Sequence, residues 1–91
     1  MFKLALVFGT RPEAIKMAPL VKACQSVESW DAKVIITGQH REMVDQVLDL
    51  FELKADYDLN IMSHGQTLND ISRRTLKGIG EIFQNWRPDL V

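Results

Sequence analysis

The chain has little cysteine, and its single Cys24 excludes an internal disulfide and agrees with a reducing compartment. Long apolar runs are missing as well. No stretch approaches the ~20 residues of a membrane span, and the first residues lack the basic start and long apolar core of a secretory leader. A cytoplasmic chain with no membrane partner is therefore expected. Charge of one sign is also absent: 11 basic residues face 12 acidic ones, a formal net charge of -1. That balance gives no reason to expect nucleic acid as a partner. What remains is 91 residues, 46% of them hydrophobic, which is at most one small domain. Such a chain buries about 60–65% of its unfolded surface, so its core is marginal. Cys24 sits at helical spacing from Val21 and Val27 and reads as a buried, inert thiol.

The most informative stretch runs from Val7 to Lys16. Leu4 to Phe8 is a short continuous apolar run, the pattern of a strand buried on both faces of a parallel sheet. Gly9 permits a sharp turn. Thr10 and Glu13 then stand in the S/T-x-x-E spacing of a capping box, and Pro12 falls in the first helical turn, where a missing N–H costs nothing. A helix that begins where a parallel strand ends points its free amides and positive dipole end into the crevice at the carboxyl edge of the sheet. Arg11 and Lys16 add two cations, and the arginine fork suits paired phosphate oxygens. Neither G-x-G-x-x-G nor the Walker pattern is present. Spacing alone thus leaves two readings open, an anion site or a capped helix start with solvated cations.

Further along, Ala14, Ile15, Met17, Ala18, Leu20, Val21, Cys24 and Val27 make a broad helical face from about Arg11 to Ser26, with a kink expected at Pro19. Lys33 to Thr37 predicts a second buried strand, with Gly38 at its exit. Gln39-His40-Arg41-Glu42 opens a second helix carrying Met43, Val44, Val47, Leu48 and Phe51. His40 there is either a ligand group or a histidine bonded to its own turn. Ala55 to Ile61 predicts a weak third strand or an extended connection, in which Asp56 and Asp58 read as a solvated face rather than a metal loop. Ser63 to Gln66 is a turn. Thr67 and Asp70 cap a long helix whose buried face is Leu68, Ile71, Thr75, Ile79, Ile82, Phe83 and Trp86. Arg73, Arg74 and Lys77 form its solvated side. Gly78 and Gly80 predict a weak helix end or a close packing partner. Pro88 to Val91 looks like the turn into another buried strand. The expectation is an α/β fold with a Rossmann-like parallel sheet, β-α-β-α-β-α and the start of a next strand, cut from a longer protein.

Phe8-Gly9-Thr10-Arg11-Pro12-Glu13-Ala14-Ile15-Lys16-Met17-Ala18-Pro19-Leu20 resembles the opening signature of the bacterial non-hydrolysing UDP-N-acetylglucosamine 2-epimerases. The resemblance continues through Gln39 to Met43, Asp45 to Leu48, Asp56 to Met62, Gln66 to Leu68 and Arg87 to Asp89. It implies the truncated first half of a GT-B-type fold of two Rossmann-like domains, with a UDP-sugar in the cleft between them and a homodimer as the full-length assembly. It implies inversion at C2 of the sugar, giving UDP-N-acetylmannosamine for surface polysaccharide, by loss and re-addition of UDP with no metal or nicotinamide cofactor. Arg11 and Lys16 match the family's substrate-contacting positions. The family's proton-transferring carboxylates and the histidine of its second half fall beyond Val91, so this stretch by itself is expected to be inactive. Some members bind a second UDP-N-acetylglucosamine as effector. Gln39 matches that site, whereas Glu42 replaces a glutamine and Gly65 replaces an arginine. Glu13-Ala14-Ile15-Lys16-Met17 favours the N-acetylglucosamine enzymes over epimerases of related UDP-sugars.

Overall fold

Leu4 to Phe8 does form a strand, and it begins two residues earlier, as β1 (Phe2–Phe8). The structure is a computed structural model and describes residues 1–39, 41–61 and 65–91. His40 and the Ser63-His64 part of the expected turn lie outside those residues. After β1 come α1 (Arg11–Gln25), β2 (Trp30–Ile36), α2 (Arg41–Leu50), β3 (Tyr57–Asp58) and α3 (Leu68–Asn85). The strands form one parallel sheet in the order β1-β2-β3, with Phe2 opposite Trp30 and Phe8 opposite Ile36. On the free side of β1, Leu90 makes a parallel bridge to Leu4, and the Ala5 amide donates to the Leu90 carbonyl at 2.9 Å. The chain thus returns to the opposite flank of β1, which makes β1 the point where strand order reverses.

Alternation along the strands divides the core in two. Leu4, Leu6, Phe8, Val34 and Ile36 face α1 and α2, where they meet Ala14, Ala18, Val21, Cys24, Val44, Val47 and Leu48. Ala5, Val7 and Ile35 face the other way, onto Ile82, Phe83 and Trp86 of α3 and its exit. Helices on both faces explain why the strand centres are apolar without a polar side. Fully burying a side chain such as Ile35 or Ile36 contributes about 1.5–3 kcal/mol. Cys24 is buried in the first cluster, as expected of an inert thiol.

Some expectations are corrected and others hold. β2 starts at Trp30 rather than Lys33, because Trp30 pairs with Phe2 and their rings lie 5.4 Å apart, and because Asp31 and Lys33 both have partners at Trp86. β3 is two residues long, the weak strand expected within Ala55 to Ile61. The apolar faces are narrower than their spacing suggests: Ile15, Leu20, Met43 and Leu68 are exposed, the last at 83% on the first residue of α3. α1 spans Arg11–Gln25 with Pro19 inside it, close to the expected bounds. Of the two readings of the α3 glycines, close packing holds at Gly78, where a Cβ would lie 2.8 Å from a Leu59 methyl. The Arg73–Arg74–Lys77 side is exposed, as expected; on it Arg73 pairs with Asp70 at 3.4 Å, and Arg74 Nη1 donates to the Ile61 carbonyl at 3.3 Å.

Candidate functional site

Three loops leave the carboxyl ends of the three parallel strands side by side, and backbone hydrogen bonds carry the sheet one step past its formal ends. The Thr37 amide donates to the Phe8 carbonyl at 3.1 Å, the Leu59 amide to Ile36 at 2.9 Å and the Ile61 amide to Thr37 at 2.9 Å. The first loop delivers the capped start of α1. Thr10 has extended backbone and forms a capping box with Glu13, whose carboxylate accepts from the Thr10 amide at 3.1 Å and from its hydroxyl at 2.6 Å. Pro12 stands in the first turn. The Glu13 carboxylate lies close to the positive end of the helix, where a negative charge is stabilising.

The cations fall out differently. Arg11 is the first helical residue and is exposed at the mouth of the crevice. Lys16 is exposed too, but five residues on it lies about 7.5 Å further along the axis and about 140° around it. The two side chains therefore leave different faces of the first turn and a half. They can reach one ligand only from two sides, which suits an extended anion such as a diphosphate better than a single phosphate.

Gln39, from the second loop, is brought to the first one: a Cβ on Gly9 would lie 2.9 Å from Gln39 Oε1. Glu42 is exposed near the start of α2, and Gly65 is in the left-handed region with φ 77°. The third loop is locked to the second. Gly38 has φ 92°, and a side chain on it would meet the Asn60 backbone at 3.0 Å and Asp58 Oδ1 at 3.3 Å. Asn60, at φ 49°, donates its backbone amide to Asp58 Oδ1 at 2.9 Å, an Asx turn made by the Asp58 side chain, and asparagine is one of the few side chains at home in the left-handed region. The Ile61 carbonyl then receives both Gln66 Nε2 and Arg74, which ties the start of α3 to the same edge.

Gly9 needs a different explanation from the one its neighbours in sequence suggest. Its backbone is not left-handed. It is small because Thr37 occupies its side-chain space, with Oγ1 only 2.0 Å from where a Cβ would be placed. Thr37 is buried and its hydroxyl has no hydrogen-bond partner among the described residues. Sequence reasoning treated Thr37 only as the end of a strand. A polar residue closing the apolar run Val34-Ile35-Ile36 was the available signal.

The family model for UDP-N-acetylglucosamine 2-epimerase matches residues 22–91. A UDP-N-acetylglucosamine 2-epimerase of Escherichia coli strain K12 is 56% identical over 89 residues, covering 98% of this chain and 24% of its own length. The probable UDP-N-acetylglucosamine 2-epimerase of Ralstonia solanacearum is 54% identical over the whole chain, again 24% of its own length. Among solved structures, the Neisseria meningitidis UDP-GlcNAc 2-epimerase bound to UDP-GlcNAc superposes with a TM-score of 0.92 at 50% identity, over 98% of this chain and 24% of that one. S. aureus MnaA in complex with UDP gives 0.92 at 48% identity, over 99% of this chain and 24% of that one. The chain thus spans about a quarter of the length of the proteins it matches.

Proposed function

The chain belongs to the UDP-N-acetylglucosamine 2-epimerase family, and we propose that it supplies the first part of an enzyme that interconverts UDP-N-acetylglucosamine and UDP-N-acetylmannosamine. In the proposed reaction a base removes the C2 proton while the C1–O bond breaks, its electron pair leaving with UDP as a C1–C2 double bond forms. UDP then returns to C1 and a proton is delivered to the other face of C2. The observation that carries this reading is the capped start of α1, with Arg11 on it, at the carboxyl end of the strand where the sheet order reverses. A helix dipole and an arginine fork placed there stabilise the diphosphate as its charge grows. Arg11 and Lys16 are the proposed substrate contacts. Gln39 is proposed at an effector site beside them.

The remaining groups follow from the same reading. A second Rossmann-like domain supplies the other wall of the cleft, the proton-transferring residues come from beyond these residues, and the complete enzyme is a cytoplasmic homodimer. The 91 residues alone are then inactive, because half the cleft and the acid–base groups are missing. Two assays test the proposal together. The isolated chain, given UDP-N-acetylglucosamine in deuterium oxide, should place no deuterium at C2. The same chain joined in place of the matching segment of the Escherichia coli relative should restore exchange at C2 and formation of the manno epimer. A well-folded joined protein with no exchange would refute the reading.

A further inference from the structure

We propose that Thr37 is a positioning residue for the Gly9-Thr10-Arg11 turn, seating it in the position from which Arg11 meets the diphosphate; this rests on the epimerase reading above. Three observations lead to it. The side-chain volume of Gly9 is given up to Thr37 Oγ1, so the turn and this hydroxyl are in direct contact. The Thr37 backbone is held on both sides, its amide on Phe8 and its carbonyl on Ile61, which anchors the residue at the junction of all three loops. Finally, that hydroxyl is buried and unpartnered among the described residues.

The last point decides the matter. A buried hydroxyl without a partner destabilises a fold, whereas an apolar group of the same shape in its place does not. Valine has that shape, and the strand before Thr37 is Val34-Ile35-Ile36, all buried. For stability alone the position calls for a fourth apolar branched residue. Its partner therefore lies outside the contacts made among the described residues, and the group next to it is the backbone of the Gly9 turn. When the turn is drawn onto a bound diphosphate, Thr37 Oγ1 hydrogen-bonds that backbone and holds Arg11 at the leaving group. Conformational strain or an unmet polar group stored at a site and relieved on ligand binding is a recurrent way of exchanging stability for function.

The test uses Thr37→Val and Thr37→Ser in the joined full-length protein, with melting temperature and steady-state kinetics on UDP-N-acetylglucosamine. Thr37→Val should melt at the same temperature or higher and lose about ten- to a hundredfold in kcat, more than in KM, as expected when a reacting group is displaced slightly. Thr37→Ser keeps the hydroxyl and should recover most of kcat while melting lower through its lost methyl. A Thr37→Val protein with unchanged kcat overturns the proposal, and so does one that melts lower, since the hydroxyl would then be stabilising the resting fold. Should the joined protein itself fail to epimerise, the epimerase reading falls and this one with it; activity that survives Thr37→Val removes this proposal alone.

Discussion

The indole N–H of Trp86 donates to Asp31 Oδ2 at 3.1 Å, linking the exit of α3 to the front of β2 across 55 positions. Lys33 completes the cluster, its Nζ 5.5 Å above the Trp86 ring and 3.9 Å from Asp31 Oδ1. On the bare sheet Asp31 and Lys33 would be two charges on an exposed strand face. Trp86 covers them, and with Ile82 it supplies the buried contacts of α3 and its exit on that face of the sheet.

Trp86→Phe should therefore lower stability by about 1–3 kcal/mol, combining a lost hydrogen bond with lost packing. Asp31→Asn keeps an acceptor oxygen and should lose less than half as much. Denaturant midpoints measure both. Equal midpoints for Trp86→Phe and the parent would mean that Ile82 alone anchors α3.

Gly9→Ala is the second substitution with a steric cause. Its new methyl would sit 2.0 Å from Thr37 Oγ1 and 2.9 Å from Gln39 Oε1; the end of the Gln39 side chain can swing away, whereas Thr37 Oγ1 and Cβ both crowd the methyl and the Thr37 backbone is held by two bonds. Overpacking of this kind commonly costs about 1–3 kcal/mol. The double substitution Gly9→Ala with Thr37→Ala should recover much of the loss, which a double-mutant cycle of melting curves would read. Purely additive losses would show that the two residues are not in conflict.

The contact between Gly9 and Thr37 also marks where sequence reasoning stops. Local signals were legible: the apolar run of β1, the Thr10–Glu13 and Thr67–Asp70 capping boxes and the order of strands and helices all depend on residues within a turn of one another. The start of the next strand, at Leu90, was legible from Pro88-Asp89-Leu90-Val91, and it does pair with β1. What was not legible depended on partners far along the chain. Trp30 and Asp31 look like loop until Phe2 is paired with the one and Trp86 is placed over the other. Leu68 fits the helical stripe but stands on the first turn of α3, beyond the edge of the sheet, and is exposed. The glycine of the anion loop was read as a turn residue because the residue that fills its space comes 28 positions later. Arg11 and Lys16 are nameable as candidate cations from the sequence, whereas the seat of the loop that carries Arg11 is not.

A pH dependence follows from the second capping box. Asp70 accepts hydrogen bonds from the Thr67 amide at 3.1 Å and from its side chain, with Arg73 nearby, and these hold its carboxyl below the usual carboxylate range. A group whose pKa is lowered on folding contributes stability above its unfolded pKa and loses it as pH falls through the folded value. The start of α3 should thus fray below about pH 4, the ordinary carboxylate range. Amide exchange at Ile71 and Ser72 would report it, and Asp70→Asn should flatten the response. Exchange that stays slow at low pH in the parent would remove Asp70 from the cap.

Arg11 allows the sharpest functional prediction, in the joined full-length protein. Charge builds on the bridging oxygen of UDP only as the C1–O bond breaks, so a donor aimed there interacts more strongly with the transition state than with the bound sugar nucleotide. Such an interaction appears in turnover as well as in affinity. Arg11→Ala should lower kcat about a hundred- to thousandfold, the usual effect of removing one such donor. Arg11→Lys keeps the charge without the planar fork and should recover only part of the loss. Lys16 leaves another face of α1, so Lys16→Ala should act mainly on KM, as a contact made equally to substrate and transition state does. An Arg11→Ala enzyme with unchanged kcat and a raised KM would assign Arg11 to uniform binding, and one with neither parameter changed would leave the loop as no more than a well-capped helix start.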